Sequence, residues 1–442
     1  MTNWPIRTIA ECADDEPYAT QIGPFGKALT PEAYQTTGVP LLRGVNVNHG
    51  RFHDDDFVFI SESDADRLAK FESFPGDVLL VHKGTLGNIG LMPTTRRFAR
   101  YIMGNSMLRV RCHPARLIPE YLYYWLSSAA GTQYLLSRVS QVGVPQIQRP
   151  LTTLREAQLP IPPLAEQRAI VGVLGALDDK IEQNRRTAQA LARLARAIFQ
   201  AWFVDFEPVK AKAAGATAFP SMPQSVFDTL PTGFVDSELG AVPEGWGAKA
   251  LSSVCSLVGG GTPKRSEPAY WDGDVPWYSV KDAPSDGELW VIGTSERITA
   301  DGLADSAARV VPKGCTIISA RGTVGKLAMA GVPMAFNQSC YGLLPGDGKS
   351  FGYLHLLMQS VVADLQQRTH GSVFDTITRA TFDGLLVTSP RGEVVTAFES
   401  VVDPLLELLL AAVDESSKLA TMRDYLLPKL LSGDLQVEAA HG

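Results

Sequence analysis

The chain has 442 residues, 45% hydrophobic and 20% charged, with a formal net charge of −7. That length supports roughly two or three domains with cores of their own, and the acidic balance argues against a protein that holds nucleic acid by bulk charge alone. The cysteines at 12, 112, 255, 315 and 340 are odd in number and form no Cys-x-x-Cys pair, so reduced thiols in a cytoplasm are expected rather than disulfides or zinc. There is no apolar run of roughly 18 residues and no charged-then-apolar leader, so neither a membrane span nor a secretion signal is expected.

Residues 1–161 read as a first globule. The apolar runs Asp77–His82 and Met107–Arg111 lie between Gly/Pro turns and predict strands, while Pro119–Arg138 has helical spacing. His49 and His53 stand four apart beside Asp54, Asp55 and Asp56, but Gly50 between them argues against a helical metal site. Lys83, Arg96, Arg97, Arg100, Arg109, Arg111 and Arg116 make a basic stretch without an acidic residue.

Residues 162–206 predict one long helix. Ile170, Leu174, Leu177, Ile181, Asn184, Ala188, Leu191, Ala195, Ile198 and Trp202 follow alternating steps of four and three, the 3.5-residue seam of a helix that pairs with another. Pro163 suits its first turn and Pro208 lies past its end. About 40 helical residues would extend ~60 Å. An amphipathic core helix of a single globule is the alternative. The polar Asn184 on the seam is a register-fixing device.

Residues 207–245, rich in Pro, Ala and Gly, read as a linker. Residues 246–390 form a second globule with a glycine loop and aromatics between Val258 and Asp282, and a helix from Phe351 to Arg368. Arg309, Lys313, Arg321 and Lys326 form a second acid-free basic stretch. In residues 391–442 the 4-3 spacing returns at Phe398, Val402, Leu405, Leu409, Ala412, Ser416 and Leu419. Pro404 is expected to interrupt or kink this helix, Arg423 to spoil its seam and Pro428 to mark its close.

The halves are related. Lys83-Gly84-Thr85-Leu86-Gly87 lies over Arg321-Gly322-Thr323-Val324-Gly325 at an offset of 238, and Gln146-Ile147-Gln148-Arg149 over Thr376-Ile377-Thr378-Arg379 at 230. The seams are offset by 228 and Trp4 matches Trp246 at 242. The expected fold is therefore α+β: two similar mixed α/β domains separated by two long antiparallel, coiled-coil helices in a pseudo-twofold tandem repeat.

The segments Leu159–Ile170, Ala201–Pro208, Glu238–Trp246 and Leu426–Leu435 together resemble the specificity subunit of type I restriction–modification systems. The resemblance covers essentially the whole chain. It implies a non-catalytic DNA-reading subunit whose two target-recognition domains each read one half of a bipartite double-stranded site, with the helices setting the gap. It also implies two methyltransferase subunits that use S-adenosylmethionine, joined by restriction subunits that use ATP and Mg. This chain would itself bind no cofactor.

Reading DNA needs phosphate contacts for position and base-edge contacts for sequence. Lys83-Gly84-Thr85 with Asn88, and Arg321-Gly322-Thr323 with Lys326, combine bare turn amides with a cation, although a plain hairpin turn has the same pattern. Asn105-Ser106 and Asn337-Gln338-Ser339 carry amides that can read adenine or cap local backbone. Gln146, Gln148 and Arg149, with Thr378 and Arg379, form a third set. Thr262 and Lys264 follow the glycine loop, and Lys281 lies beyond it; phosphate contact and simple disorder are both open there.

Catalytic readings fail: Gly325-Lys326 has Ala320 and Leu327 where a P-loop needs Gly and Ser/Thr. No Gly-x-Ser-x-Gly elbow is present, and Ile161-Pro162-Pro163-Leu164 lacks the amide or acid and the aromatic of an adenine methyltransferase tetrapeptide. The rival from another class is a coiled-coil scaffold whose globules bind proteins.

Overall fold

A computed structural model describes residues 4–48, 51–140, 143–285, 287–346, 348–369 and 376–437; His49 and Gly50 lie outside them. It comprises two compact units, Met1–Asp179 with Leu419–Gly442, and Lys180–Lys418.

In the first unit Ile6–Thr8 pairs antiparallel with Gln158–Pro160, clasping the start of the globule to its end. A four-stranded sheet runs in the order Thr20–Ile22, Met107–Val110, Val78–Val81, Ile89–Leu91. Val39–Leu42 lies between Val58–Ile60 and Ile102–Met103 in a second sheet, parallel to the latter. Strands 78–81 and 107–110 are buried throughout, which is why Val78–Val81 reads as an unbroken apolar run, while Met107–Val110 is interrupted by the buried Arg109. Val78, Leu80, Leu108 and Val110 pack with Tyr121, Leu122 and Trp125. Leu79, Val81 and Met107 pack with Leu41, Ile102 and Met103. The predicted helix 119–138 is two helices, Pro119–Ser127 and Ala129–Leu136, because the Ser128 hydroxyl caps the second.

The second unit repeats this plan. Gly247–Ala250 pairs antiparallel with Leu386–Ser389. The main sheet runs Cys255–Gly259, Cys340–Pro345, Thr316–Ser319, Leu327–Ala330, then Trp290–Val291 as a fifth, parallel edge strand. Trp271–Tyr278 lies between Glu296–Ile298 and Ala335–Phe336, again parallel to the latter. The duplication holds at single hydrogen bonds: Ile9 N–H donates to Ala157 O at 2.9 Å, and Leu251 N–H to Leu385 O at 2.8 Å.

The first long helix spans Leu164–Phe199 and runs into a π-helical turn, Gln200–Val204; the second spans Gly392–Ser432. In the first unit Ile170 and Leu174 share a core with Leu430 and Leu431, and Asp178 pairs with Arg423 at 2.8 Å. Within the second unit the amide of Asn184 donates to Glu415 at 2.7 Å, while Phe199 and Trp202 stack on Phe398. In each unit the two segments therefore run antiparallel.

Ile170, Leu174, Asn184, Ile198, Phe398, Val402 and Leu409 are buried, whereas Leu177, Ile181, Leu191, Leu405 and Leu419 are half-buried. Ala192, Phe199, Leu406 and Leu410 are buried off the seam, because this part of the pair is also built into the globule, among Tyr353, Leu354 and Leu357.

Three expectations are corrected. Pro404 does not interrupt the second helix and Pro428 does not end it; buried Val402, Leu406 and Leu409 on one side, and Leu430 and Leu431 on the other, outweigh the ~3 kcal/mol proline cost. Arg423 does not spoil the pairing but supplies the ion pair to Asp178. The stretch 207–245, read as a linker, forms helices Glu207–Ala213 and Gln224–Phe227 and a hairpin of Phe234–Ser237 with Gly240–Pro243, anchored by buried Val209, Phe227 and Leu230.

Candidate nucleic-acid interface

In each unit three turns converge on the end of a central strand. His82, just past strand 78–81, donates its N–H to Ser106 O at 2.9 Å and accepts from Ile147 N–H at 3.0 Å, and Gly84 N–H donates to Pro145 O at 3.0 Å. Lys83 forms a β-bridge with Gln146. In the second unit Ala320 donates to Ser339 O at 2.7 Å and accepts from Ile377 N–H at 3.0 Å, and Arg321 bridges Thr376. The frame is thus the same backbone network twice. Gly84, Gly87, Gly322 and Gly325 all have φ between 74° and 89°, a left-handed conformation that glycine adopts without strain.

This frame carries Lys83, Gly84, Thr85, Asn105, Gln146, Gln148 and Arg149 exposed in the first unit, with Asn88 and Ser106 half-buried. In the second it carries Arg321, Gly322, Thr323, Lys326, Gln338, Thr378 and Arg379 exposed. Thr262 joins them through a hydrogen bond to the Gln338 side chain. Lys264 is exposed, its carbonyl accepting from the Trp271 indole at 3.2 Å. Exposed Lys281 lies on the turn after Tyr278, whose carbonyl accepts from Asn337 N–H at 3.0 Å.

Several polar groups work locally. The Asn337 side chain accepts from Ser339 N–H at 3.0 Å, and the Thr378 hydroxyl caps the helix Arg379–Asp383. Arg149 is the left-handed residue, φ 42°, before the helix Pro150–Glu156. Two glycines of the 259–261 loop answer a packing demand. A Cβ at Gly260 would lie 2.1 Å from Asn337 O and one at Gly261 2.1 Å from Ala308 N, so both serve close backbone approach. Under the first frame, burial lowers the pKa of His82, and its ring Nε2 lies 3.2 Å from Asn105 O.

The first basic stretch is not a basic surface. Arg100 pairs with Glu62, Asp66 and Glu72, Arg111 with Asp77 and Glu16, and Arg116 with Asp15. Arg109 is buried beside Asp77, its guanidinium donating to the carbonyls of Tyr18 and Glu72. Acids distant in sequence thus neutralise four of its seven cations. Lys313 in the second stretch likewise pairs with Glu407.

The glycine loop before Thr262 and Lys264 and the turn bearing Lys281 have counterparts in the first unit, around Gly23 and Gly44, that the sequence does not mark directly. A Cβ at Gly23 would sit 1.8 Å from Gly104 O, as one at Gly260 would sit 2.1 Å from Asn337 O. The turn Gly44–Asn46 corresponds to Val280–Asp282: Arg43 N–H donates to Asn46 and Ser279 N–H to Asp282, both at 2.8 Å. A weak signal existed in Pro31-Glu32-Ala33-Tyr34 and Pro268-Ala269-Tyr270-Trp271, which share an offset of 237. Among the described residues there is no cluster of potential metal ligands and no helix long and apolar enough to cross a membrane.

The family profile of the type I restriction modification DNA specificity domain matches residues 27–193 and 243–392, one segment in each half. The type I restriction enzyme HindI specificity subunit of Haemophilus influenzae is 26% identical over 377 residues, covering 76% of this chain and 81% of the relative. The MjaIX specificity subunit of Methanocaldococcus jannaschii is 23% identical over 399 residues, covering 87% and 84%. The crystal structure of a type I restriction–modification S subunit from M. genitalium shares the fold, with a TM-score of 0.59 at 16% identity over 97% of this chain and 96% of that one. With both halves matched and the whole architecture shared, the chain belongs to the type I restriction–modification DNA specificity subunit family.

Proposed function

We propose that each globule reads one half of a bipartite double-stranded DNA site through its three-turn frame, the first around Lys83-Gly84-Thr85, Asn105 and Gln146, the second around Arg321-Gly322-Thr323, Lys326 and Gln338. The observation that carries this reading is the duplicated backbone network, which holds exposed amides and a cation at the end of a rigid central strand in both units. The long helices set the gap and carry the methyltransferase subunits. Methyl transfer to adenine from S-adenosylmethionine belongs to those partners, and ATP- and Mg-dependent cleavage to restriction subunits in a cytoplasmic complex. This chain supplies recognition and no reacting group.

The test is a map of methylated bases in cellular DNA with and without this chain. A two-part motif that vanishes with the chain supports the reading; an unchanged pattern, or loss of a protein partner only, favours the scaffold. Deleting one heptad from each long helix should change the permitted gap between half-sites and leave the half-site sequences alone. An unchanged gap would remove the helices from that role.

A further inference from the structure

The two frames are alike in backbone and differ in what stands on their rims. In the first unit Phe25 is 58% and Val45 55% exposed, large apolar side chains left to solvent. Both belong to loops seated on the reading turns. Gly23, two residues before Phe25, abuts Gly104 and Asn105, and Gly44, next to Val45, has its Cβ position 3.1 Å from the Thr85 hydroxyl.

Strand registers give the counterparts in the second unit. Leu108 pairs with Ile22 as Tyr341 pairs with Gly259, which aligns Phe25 with Thr262. Leu42 pairs with Met103 as Tyr278 pairs with Phe336, which aligns Val45 with Lys281. Thr262 hydrogen-bonds Gln338, the residue that occupies the place of Asn105. One frame therefore carries a hydroxyl and an ammonium where the other carries a phenyl ring and an isopropyl group.

Resting on the reading of these frames as DNA-contacting, we infer that the first globule selects its half-site through the 5-methyl group of thymine, contacted by Phe25 and Val45, whereas the second uses polar contacts at the same positions. The thymine methyl is the apolar feature of the major-groove edge, and phenyl and aliphatic groups are its usual protein partners. Apolar groups on a polar rim also require a dry counterpart to gain from burial, which a phosphate does not offer.

The experiment uses the complex assembled with its methylating subunits. Duplexes carrying the mapped motif have thymine replaced by deoxyuridine in one half at a time, and the rate of methyl transfer at subsaturating DNA is measured. In one half the loss of a methyl should cost about fourfold. That penalty should disappear in the Phe25→Ala/Val45→Ala double variant, persist in Phe25→Leu and be untouched by Thr262→Ala/Lys281→Ala. Equal tolerance of deoxyuridine in both halves, a penalty that survives the double variant, or a Phe25-dependent half-site that contains no T·A pair would overturn the inference. If instead no motif depends on this chain, the DNA-reading proposal itself falls.

Discussion

The two units fasten their globules to the long helices in different ways. In the first, fully buried Gln167 accepts from Ile118 N–H at 2.8 Å and donates to Pro162 O at 2.9 Å and Arg116 O at 3.1 Å. It thereby ties the start of helix Pro119–Ser127 to the long helix. The matching residue of the second long helix, at the seam offset, is buried Val395. There the work passes to carboxylates: Ser350 donates its N–H to Glu399 and its hydroxyl to Asp403, while that hydroxyl accepts from Tyr353 N–H at 3.1 Å. Both devices satisfy the unpaired N–H groups of a helix start. A neutral amide does so at any pH, whereas burial, with Glu399 and Glu407 nearby, pushes the Asp403 carboxyl up to about 6. The same topological demand is met once by shape and once by charge.

Breaking the amide fastening should have the largest effect. Gln167→Ala leaves one buried and two partly buried backbone groups without partners and should lower unfolding stability by about 3 kcal/mol, read by urea denaturation; a loss below about 1 kcal/mol would make the amide incidental. Next come the two frames. Lys83→Ala and Arg321→Ala should each weaken DNA association of the assembled complex by about tenfold and make its salt dependence shallower by about one counterion. An effect at only one of them would show that the frames are not used alike.

The acidic fastening sharpens the comparison through pH. The folded-state pKa of Asp403 lies above its ordinary value of 3.8, so the folded state holds the proton more tightly and stability falls as pH rises from about 4 through about 6. Asp403→Asn should therefore raise stability by on the order of 1 kcal/mol at pH 8, a figure discounted for its half-buried position, with little change near pH 4. Thermal unfolding at the two pH values checks this, and an equal change at both would deny the titration. The smallest effect is expected at Asn184→Leu. Removing an amide 5% exposed and bonded to Glu415 should shift stability by a few tenths of a kcal/mol, while exchanging a register-fixing contact for a symmetric apolar one.

Much of the architecture follows from features each a few residues wide. The steps of four and three from Ile170 to Trp202 dictate a long paired helix because 3.5-residue spacing keeps one face turned to its partner. The apolar run at 78–81 dictates a strand buried on both faces. The glycines at 84, 87, 322 and 325 dictate turns that need positive φ. These demands are local, so they survive in the order of residues, and their recurrence at near-constant offsets reveals the duplication.

What depended on partners far along the chain was decided only by the folded molecule. Arg100, Arg109, Arg111 and Arg116 look like a basic surface until Glu16, Asp15, Glu62, Asp66, Glu72 and Asp77 are brought beside them. Pro404 and Pro428 look like stops until buried leucines on either side hold the helix together. Phe25 and Val45 carry no mark of exposure in the order of residues; the loops that bear them come to rest on the rim of the reading frame only in the fold. Periodicity and backbone conformation are properties of a short segment, whereas charge neutralisation, tolerated strain and exposure are sums over neighbours that only the tertiary fold assembles.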